Sequence, residues 1–126
     1  RFGLYDMIML KDNHVDYAGG IGPAVESTRS YLLASGKQLA IEVETRNLQE
    51  VQEALDMNVD RIMVDNFSPE LMREAVDLVK GACETEASGG ITESTIRDYA
   101  ETGVDFISVG ALTHSVKSLD MSLKEF

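Results

Sequence analysis

The spacing of apolar residues along this chain changes repeatedly between the period of a strand and the period of a helix. Strands are predicted at Tyr5–Leu10, at Leu39–Glu44, where side chains alternate with a period of two, and at Arg61–Asp65. Two further strands are expected, one ending near Ala87 and one spanning Phe106–Val109. Each run has the length of a single buried strand.

Segments with helical spacing separate these strands. One helix is predicted to end near Gly36, and a second to begin at a cap on Asn47. Ser68 followed by Pro69 is typical of a third helix start, because the hydroxyl can cap free amides and proline fits the first turn. A fourth helix is expected from about Thr92 to Glu101. The chain therefore alternates between strands and helices.

An internal repeat indicates how the strands run. Leu55–Val64 is echoed in outline by Ala100–Val109, and both pass from a helix end through Asn58 or Gly103 into Val-Asp and a strand. A repeated helix–strand unit implies parallel strands. About five units fit in the chain, whereas an eight-unit barrel needs about 200 residues or more. The alternatives are a small open α/β sheet and an incomplete parallel-stranded (β/α) barrel of the open TIM-like type. The start at Arg1, without an initiator methionine, favours the barrel.

Composition limits the classes of partner. Hydrophobic residues make up 44% and charged residues 26% of the 126 positions, as in a folded globular domain. The formal net charge of −11 argues against nucleic acid, and an anionic substrate would depend on local positive groups such as Arg1 and Lys11. No apolar run approaches the roughly 20 residues of a membrane span. The one cysteine, Cys83, cannot form an internal disulfide, so a cytoplasmic location is expected.

Residues that could take part in catalysis or ligand binding lie at the ends of the predicted strands. They are Lys11, Glu44, Asp65, Ser88 and Gly110, and the last four are separated by steps of 21, 23 and 22 positions. That step is the length of one helix–strand unit, so these residues occupy equivalent places on successive strands. Parallel strands bring their carboxyl ends to one edge of the sheet, where ligand sites of α/β proteins lie. We expect the five residues to surround a common mouth.

Two carboxylates at this edge suggest a cation or sugar site. If Ile41 and Val43 pack against helices, the alternation of the strand turns Glu44 to the opposite face, and Asp65 follows the same rule. Paired carboxylates are oxygen ligands of the kind that Mg²⁺ favours, and they can also bind sugar hydroxyls. The alternative for each acid taken singly is a capping or solvated carboxylate.

The glycines at two neighbouring strand ends suggest a phosphate site. Ser88, Gly89 and Gly90 lead from a strand toward the helix expected at Thr92, and Gly110 ends the next strand. Glycine allows a backbone to approach a ligand closely, and helix-start amides favour an anion. The alternative is that the glycine pair forms only a tight turn.

Several motifs together resemble quinolinate phosphoribosyltransferase in order and spacing, across nearly the whole chain. They are Gly3–Asp6, Leu10–His14, Ile41–Glu44, Val64–Asn66, Glu86–Ile91 and Gly103–Ser115. The family joins quinolinate to phosphoribosyl pyrophosphate with Mg²⁺, giving nicotinate mononucleotide, pyrophosphate and CO₂. The resemblance implies that Arg1 and Lys11 bind the quinolinate carboxylates or the phosphoribosyl donor. It implies that Glu44 and Asp65 hold the ribose hydroxyls and the Mg²⁺–pyrophosphate, with the metal held directly or through substrate and water.

The resemblance also assigns the 5′-phosphate of the donor. It implies that Ser88, Gly89 and Gly110 bind this group, with help from Gly90 and His114. We therefore expect a catalytic site built from Lys11, Glu44 and Asp65 beside a phosphate site on the next two strands.

The resemblance implies that residues 1–126 form the major part of the catalytic barrel domain. The family's amino-terminal domain and the first part of its barrel are then absent, and the chain alone is expected to be inactive. The family acts as a homodimer in which the partner supplies an arginine to the active site. Two alternatives stay open: a paralogous barrel acting on another ring substrate, as in homologues associated with molybdate transport, and a non-catalytic module that binds sugar phosphates.

Overall fold

Five parallel strands form one sheet in the computed structural model, which describes residue 3 and residues 5–113. The strands are β1 Met7–Leu10, β2 Ala40–Thr45, β3 Arg61–Asp65, β4 Glu84–Ser88 and β5 Phe106–Ile107. They pair in chain order, from β1 to β5. A doubly wound sheet reverses its strand order at a switch point, and this sheet has no such reversal. The sheet is therefore the wall of an incomplete (β/α) barrel, as predicted.

Helices connect the strands. They are α1 Asp12–Ala18, α2 Ile21–Ser35, α3 Leu48–Asp56, α4 Pro69–Val79 and α5 Ile96–Ala100, with a 3₁₀ turn over Gly110–Leu112. Two predicted caps are confirmed: the Asn47 side chain accepts from the Glu50 amide at 2.9 Å, and the Ser68 hydroxyl accepts from the Leu71 amide at 3.3 Å. Among the described residues, no helix combines the length and apolar character that crossing a lipid bilayer requires.

Helix α1 was not predicted from the sequence. Val15 is the one buried residue of this seven-residue helix, so no apolar stripe marks it. Its start is stabilised locally, because the Lys11 amide donates to Nδ1 of His14 at 3.0 Å. The helix ends at Gly19, whose φ of +85° closes the last turn in the left-handed conformation. His14 thus has a structural role beside the strand end.

The predicted helix start at Thr92 was wrong, because α5 begins four residues later, at Ile96. Residues 93–95 form a turn rather than regular helix, although the Thr92 carbonyl already accepts the Ile96 amide at 2.9 Å and the Thr92 amide donates to the Thr95 hydroxyl at 3.0 Å. The last strand is also shorter than predicted, since β5 ends at Ile107 rather than at Val109.

Side chains alternate across the sheet as the period of two predicts. Ile41 and Val43 on β2 and Val64 on β3 lie in the hydrophobic core, together with buried residues of α3 and α4. Glu44 and Asp65 line a cavity on the opposite face of the sheet. The helices therefore supply the core on one face, and the other face is left for polar side chains.

The internal repeat marks a structural device used twice. Asn58 and Gly103 both take left-handed conformations, with φ of +50° and +85°. Two residues after each of them, an aspartate accepts a hydrogen bond from a backbone amide near the start of the preceding strand. Asp60 accepts the Ile41 amide at 2.7 Å, and Asp105 accepts the amide and the hydroxyl of Thr85, each at 2.8 Å. The Val-Asp motif thus fixes the register of neighbouring strands.

Replacing either aspartate should therefore destabilise the sheet. We expect Asp60→Ala and Asp105→Ala each to lower the free energy of unfolding by roughly 1–3 kcal/mol, because a strand amide loses a charged acceptor. Asp105→Ala should cost more, since it removes two bonds. Urea unfolding followed by circular dichroism measures both, with Asp77→Ala on the exposed face of α4 as the matched control. Equal stability of all three variants would show that the repeated motif does not hold the strands.

Candidate functional site

Four of the predicted strand-end residues lie around one cavity. Lys11, Glu44, Asp65 and Ser88 all contribute to the lining of a cavity of about 530 Å³ at the concave face of the sheet. The cavity walls are predominantly polar side chains from all five strands or the residues that follow them. The structure thus brings together side chains that are up to 77 positions apart in the sequence.

The strand register sets their relative positions. Asp65 and Ser88 are directly opposite each other on β3 and β4. Glu44 pairs with Met63, two residues before Asp65 on the same face. Lys11 follows the last residue of β1, which pairs with the residue before Glu44. The three charged groups and the serine therefore follow one another along the carboxyl edge of the sheet.

Glu44 is electrostatically strained at this edge. Burial raises the pKa of its carboxyl above the ordinary value, and the nearby charge of Asp65 raises the pKa further. The positive charges of Lys11 and Arg46 act in the opposite direction without cancelling the shift. The described side chains that line the cavity also include only two cations, Lys11 and Arg61, against four carboxylates, those of Glu42, Glu44, Asp65 and Glu86, and this excess of negative charge favours binding of an added cation.

Two carboxylates do not by themselves make a metal centre. Within residue 3 and residues 5–113, no group of three or more histidine, cysteine, aspartate or glutamate side chains has the arrangement to hold a metal ion. Mg²⁺ usually keeps several waters and binds through one or two carboxylates plus substrate phosphates. Glu44 and Asp65 fit that partial role, and the remaining ligands would come from a substrate and water.

The glycine segment after β4 has the backbone freedom that was predicted. Gly89 and Gly90 have φ of +88° and +63°, a conformation that disfavours other residues. Gly110 opens a 3₁₀ turn shortly after β5, the strand that pairs with β4, so both segments lie at the same edge of the sheet. The contribution expected from helix amides at Thr92 is absent, because that helix begins at Ile96. Any anion here would depend on the loop amides and the Ser88 hydroxyl.

The sequence reasoning missed an ionic cluster on the cavity floor. Arg61 pairs with Glu84 at 2.7 Å and with Glu86 at 3.4 Å, and its guanidinium lies 4.0 Å from the centre of the Phe106 ring. Glu86 also accepts a short hydrogen bond from the Ser108 hydroxyl. The period-two alternation that identified Glu44 and Asp65 would have placed these side chains on the same face. Arg1 and His114, the other two predicted ligands, lie outside the described residues.

Comparisons with known proteins give a consistent result. The family described as quinolinate phosphoribosyl transferase, C-terminal domain, matches residues 1–124. A Nicotiana tabacum protein named quinolinate phosphoribosyltransferase (decarboxylating) 2b, mitochondrial, is 46% identical over 98% of the chain. A Bacillus subtilis protein named probable nicotinate-nucleotide pyrophosphorylase (carboxylating) is also 46% identical over 98% of the chain. The chain spans 40% and 42%, respectively, of the lengths of these relatives.

Solved structures agree with the sequence matches. Nicotinate-nucleotide pyrophosphorylase from Ehrlichia chaffeensis superposes with a TM-score of 0.81 and 39% identity, over 90% of this chain and 40% of that one. The Francisella tularensis protein of the same name gives a TM-score of 0.79 and 44% identity, over 97% of this chain and 42% of that one. A thiamine phosphate pyrophosphorylase from Pyrococcus furiosus, at 24% identity and a TM-score of 0.66, shares the fold.

The raised pKa of Glu44 has a consequence for stability. Because the folded chain holds this proton more tightly than the unfolded chain, stability should fall as pH rises from the ordinary carboxyl pKa through the raised one. Glu44→Gln removes the charge, so it should raise the melting temperature at neutral pH and flatten the pH dependence over that window. Differential scanning calorimetry at a series of pH values from roughly 4 to 8 measures both effects, because this range begins near the ordinary carboxyl pKa and extends above it. A lower melting temperature of Glu44→Gln at neutral pH would contradict the destabilising effect assigned to the ionised Glu44 carboxylate.

Proposed function

The chain belongs to the quinolinate phosphoribosyltransferase family, and we propose that it forms the major part of the catalytic barrel of an enzyme that transfers a phosphoribosyl group from phosphoribosyl pyrophosphate to quinolinate, with decarboxylation. The products are nicotinate mononucleotide, pyrophosphate and CO₂, within NAD biosynthesis. One observation carries the proposal: Lys11, Glu44, Asp65 and Ser88 line a single cavity. Those positions match the motifs that the family resemblance assigns to the two substrates.

The carboxylates of Glu44 and Asp65 have two tasks in this reaction. They accept hydrogen bonds from the ribose hydroxyls, which holds the sugar at the edge of the sheet. As the bond from the anomeric carbon to pyrophosphate breaks, the ribosyl ring gains oxocarbenium character, and nearby negative charge stabilises it. Mg²⁺, when bound, would neutralise charge on the pyrophosphate leaving group.

Positive groups must compensate the anionic substrates, because the chain as a whole carries a net charge of −11. Lys11 lies at the cavity edge, and its positive charge partly counteracts the rise in the pKa of Glu44. Its ammonium group therefore already acts electrostatically on the site. We propose that Lys11, together with Arg1, binds the quinolinate carboxylates or the donor. A cationic surrounding also favours decarboxylation, because it stabilises the negative charge left on the pyridine ring.

The glycine segment would hold the 5′-phosphate of the donor. We propose that the Ser88 hydroxyl and the amides of Gly89, Gly90 and Gly110 bind this group, with His114 assisting. The left-handed backbone at the glycine pair and the adjacent position of Gly110 support this assignment. Successive backbone amides in such conformations form concave anion sites without any net positive charge.

The assembly and compartment are further parts of the proposal. The relatives are more than twice as long as this chain, so we propose that turnover needs additional segments and a homodimer in which the partner supplies an arginine. The single cysteine fits a reducing cytoplasm, although plant relatives are named as mitochondrial or chloroplastic proteins. Activity should therefore be assayed in the protein at its natural length, with the 126-residue chain beside it.

The carboxylate pair provides the direct test. Glu44→Ala and Asp65→Ala should each lower kcat by roughly 10²–10³, because a preorganised charge aimed at the transition state is lost. Formation of nicotinate mononucleotide from quinolinate and phosphoribosyl pyrophosphate, with and without Mg²⁺, is the measurement. Glu74→Ala, on the exposed side of α4, is the matched control. Near-normal turnover of both site variants would mean that Glu44 and Asp65 are ordinary strand-end acids.

The phosphate assignment can be tested without turnover. Crystals grown with sulfate should show an anion between Ser88 and Gly110, and Gly110→Val should abolish it, because the added side chain occupies the space of the ligand. Gly22→Val, in the first turn of α2 and away from the cavity, is a control for the general effect of replacing a glycine whose φ is not left-handed. An anion that binds elsewhere, or that survives Gly110→Val, would contradict the assignment.

A further inference from the structure

We propose that Asn66 is a positioning residue that couples the ribose end of the site to its phosphate end. The inference rests on the proposed function, since it assumes that Asp65 and the Ser88–Gly89 segment bind the two parts of one donor. Asn66 follows β3 directly; two hydrogen bonds connect it with Ser88 and Asp65, and its side chain lies so close to Gly89 that no β-carbon would fit there. It is exposed, so its place at this edge is not explained by packing into the core.

A backbone hydrogen bond of Asn66 joins the carboxyl ends of β3 and β4. Its φ of +58° is left-handed, a conformation that asparagine tolerates better than most residues. The Asn66 amide donates to the carbonyl oxygen of Ser88 at 2.9 Å. This is the ladder bond of the last paired residues of β3 and β4, Asp65 and Ser88. It thus closes the pairing of the two strands at the point where the glycine segment begins.

The side chain of Asn66 orients the neighbouring carboxylate. Its Nδ2 donates to Oδ2 of Asp65 at 2.8 Å. A carboxylate has two oxygens and several acceptor positions, so this bond fixes one oxygen and leaves the other for a ligand. The rotation of the Asp65 carboxylate is thereby restricted before any substrate arrives, which reduces the entropy cost of binding.

The Asn66 side chain fits beside position 89 only because that residue is glycine. A β-carbon at position 89 would collide with the side-chain oxygen of Asn66 and would lie 2.8 Å from its backbone nitrogen. The glycine is therefore required by a neighbouring strand end as well as by its own φ of +88°. The two segments fit together only with this pair of residues, so a shift of one moves the other.

The consequence follows from the chemistry of the donor. The ribose and the 5′-phosphate are covalently joined, so the groups that bind them must stand at a fixed separation. Asn66 contacts Asp65 on one side and Ser88 and Gly89 on the other. A misplaced site loses rate steeply, because reacting groups must be held within a fraction of an ångström. Asn66 sets that separation without touching the reacting atoms.

The experiment compares two ends of the same strand. Asn66→Gly keeps the left-handed backbone accessible and removes the amide, and Asn58→Gly makes the same change at a φ of +50° before β3, away from the cavity. In the protein at its natural length, Asn66→Gly should lower kcat/KM for phosphoribosyl pyrophosphate by about tenfold or more, the loss of one hydrogen bond to a charged group. KM for quinolinate should stay within about twofold, since that ring is bound by other residues.

A second variant protects the test against misfolding. Asn66→Asp retains the shape and the left-handed tolerance but replaces the donor by a negative charge beside Asp65, so it should show at least the same selective loss. Gly89→Ala should displace Asn66 and reproduce the loss, and it should cost less in the Asn66→Gly background than in the native one. Circular dichroism melts and the Asn58→Gly control report on folding.

The outcomes separate the two proposals. Normal kcat/KM in Asn66→Gly and Asn66→Asp, with Asp65→Ala inactive, would overturn the role of Asn66 and leave the proposed function standing. Equal losses for both substrates, or losses matched by Asn58→Gly, would show a merely structural residue and would also overturn it. Normal turnover of Asp65→Ala would instead remove the proposed function on which the inference rests.

Discussion

The in-order parallel pairing of the five strands determines where everything else in this chain lies. Each helix returns the chain to the same end of the sheet, so every strand ends at one edge. Lys11, Glu44, Asp65 and Ser88 meet there although helices separate them in the sequence. The pairing is itself maintained at the opposite edge, where Asp60 and Asp105 accept the amides of the second residues of the neighbouring strands β2 and β4. Stability is thus concentrated at one end of the strands and chemistry at the other.

The charge of the site conflicts with the stability of the fold. Burial and the charge of Asp65 disfavour the ionised form of Glu44, and Lys11 compensates only in part. On the cavity floor, by contrast, Arg61 satisfies Glu84 and Glu86 directly. The floor is not neutral, however, since this one guanidinium faces the three carboxylates of Glu42, Glu84 and Glu86. The floor and the edge therefore both carry excess negative charge, which an added cation would reduce.

The sequence predicted the fold better than it predicted the details of the site. A period of two placed Glu44 and Asp65 on the cavity face, and the caps at Asn47 and Ser68 were read correctly because their mechanism is local. The predicted helix start at Thr92 was four residues early, since residues 93–95 form a turn before α5. The Arg61 cluster could not be derived, since it depends on which strands become neighbours and on their register. Local signals and the common edge of the strands were thus readable, whereas the side-chain pairs that depend on exact register were not.

Two separate physical causes can account for the glycine after Ser88. From the sequence, Gly89 indicates close approach of a phosphate. The structure supplies a second cause, because a side chain at that position would collide with Asn66 on the neighbouring strand end. The steric cause follows from the geometry, and it ties the Asp65 end of β3 to the Ser88 segment. A glycine can therefore be required by the residue that it accommodates. If the two segments bind the two parts of one donor, as proposed above, their spacing is set by a neighbour that binds neither part.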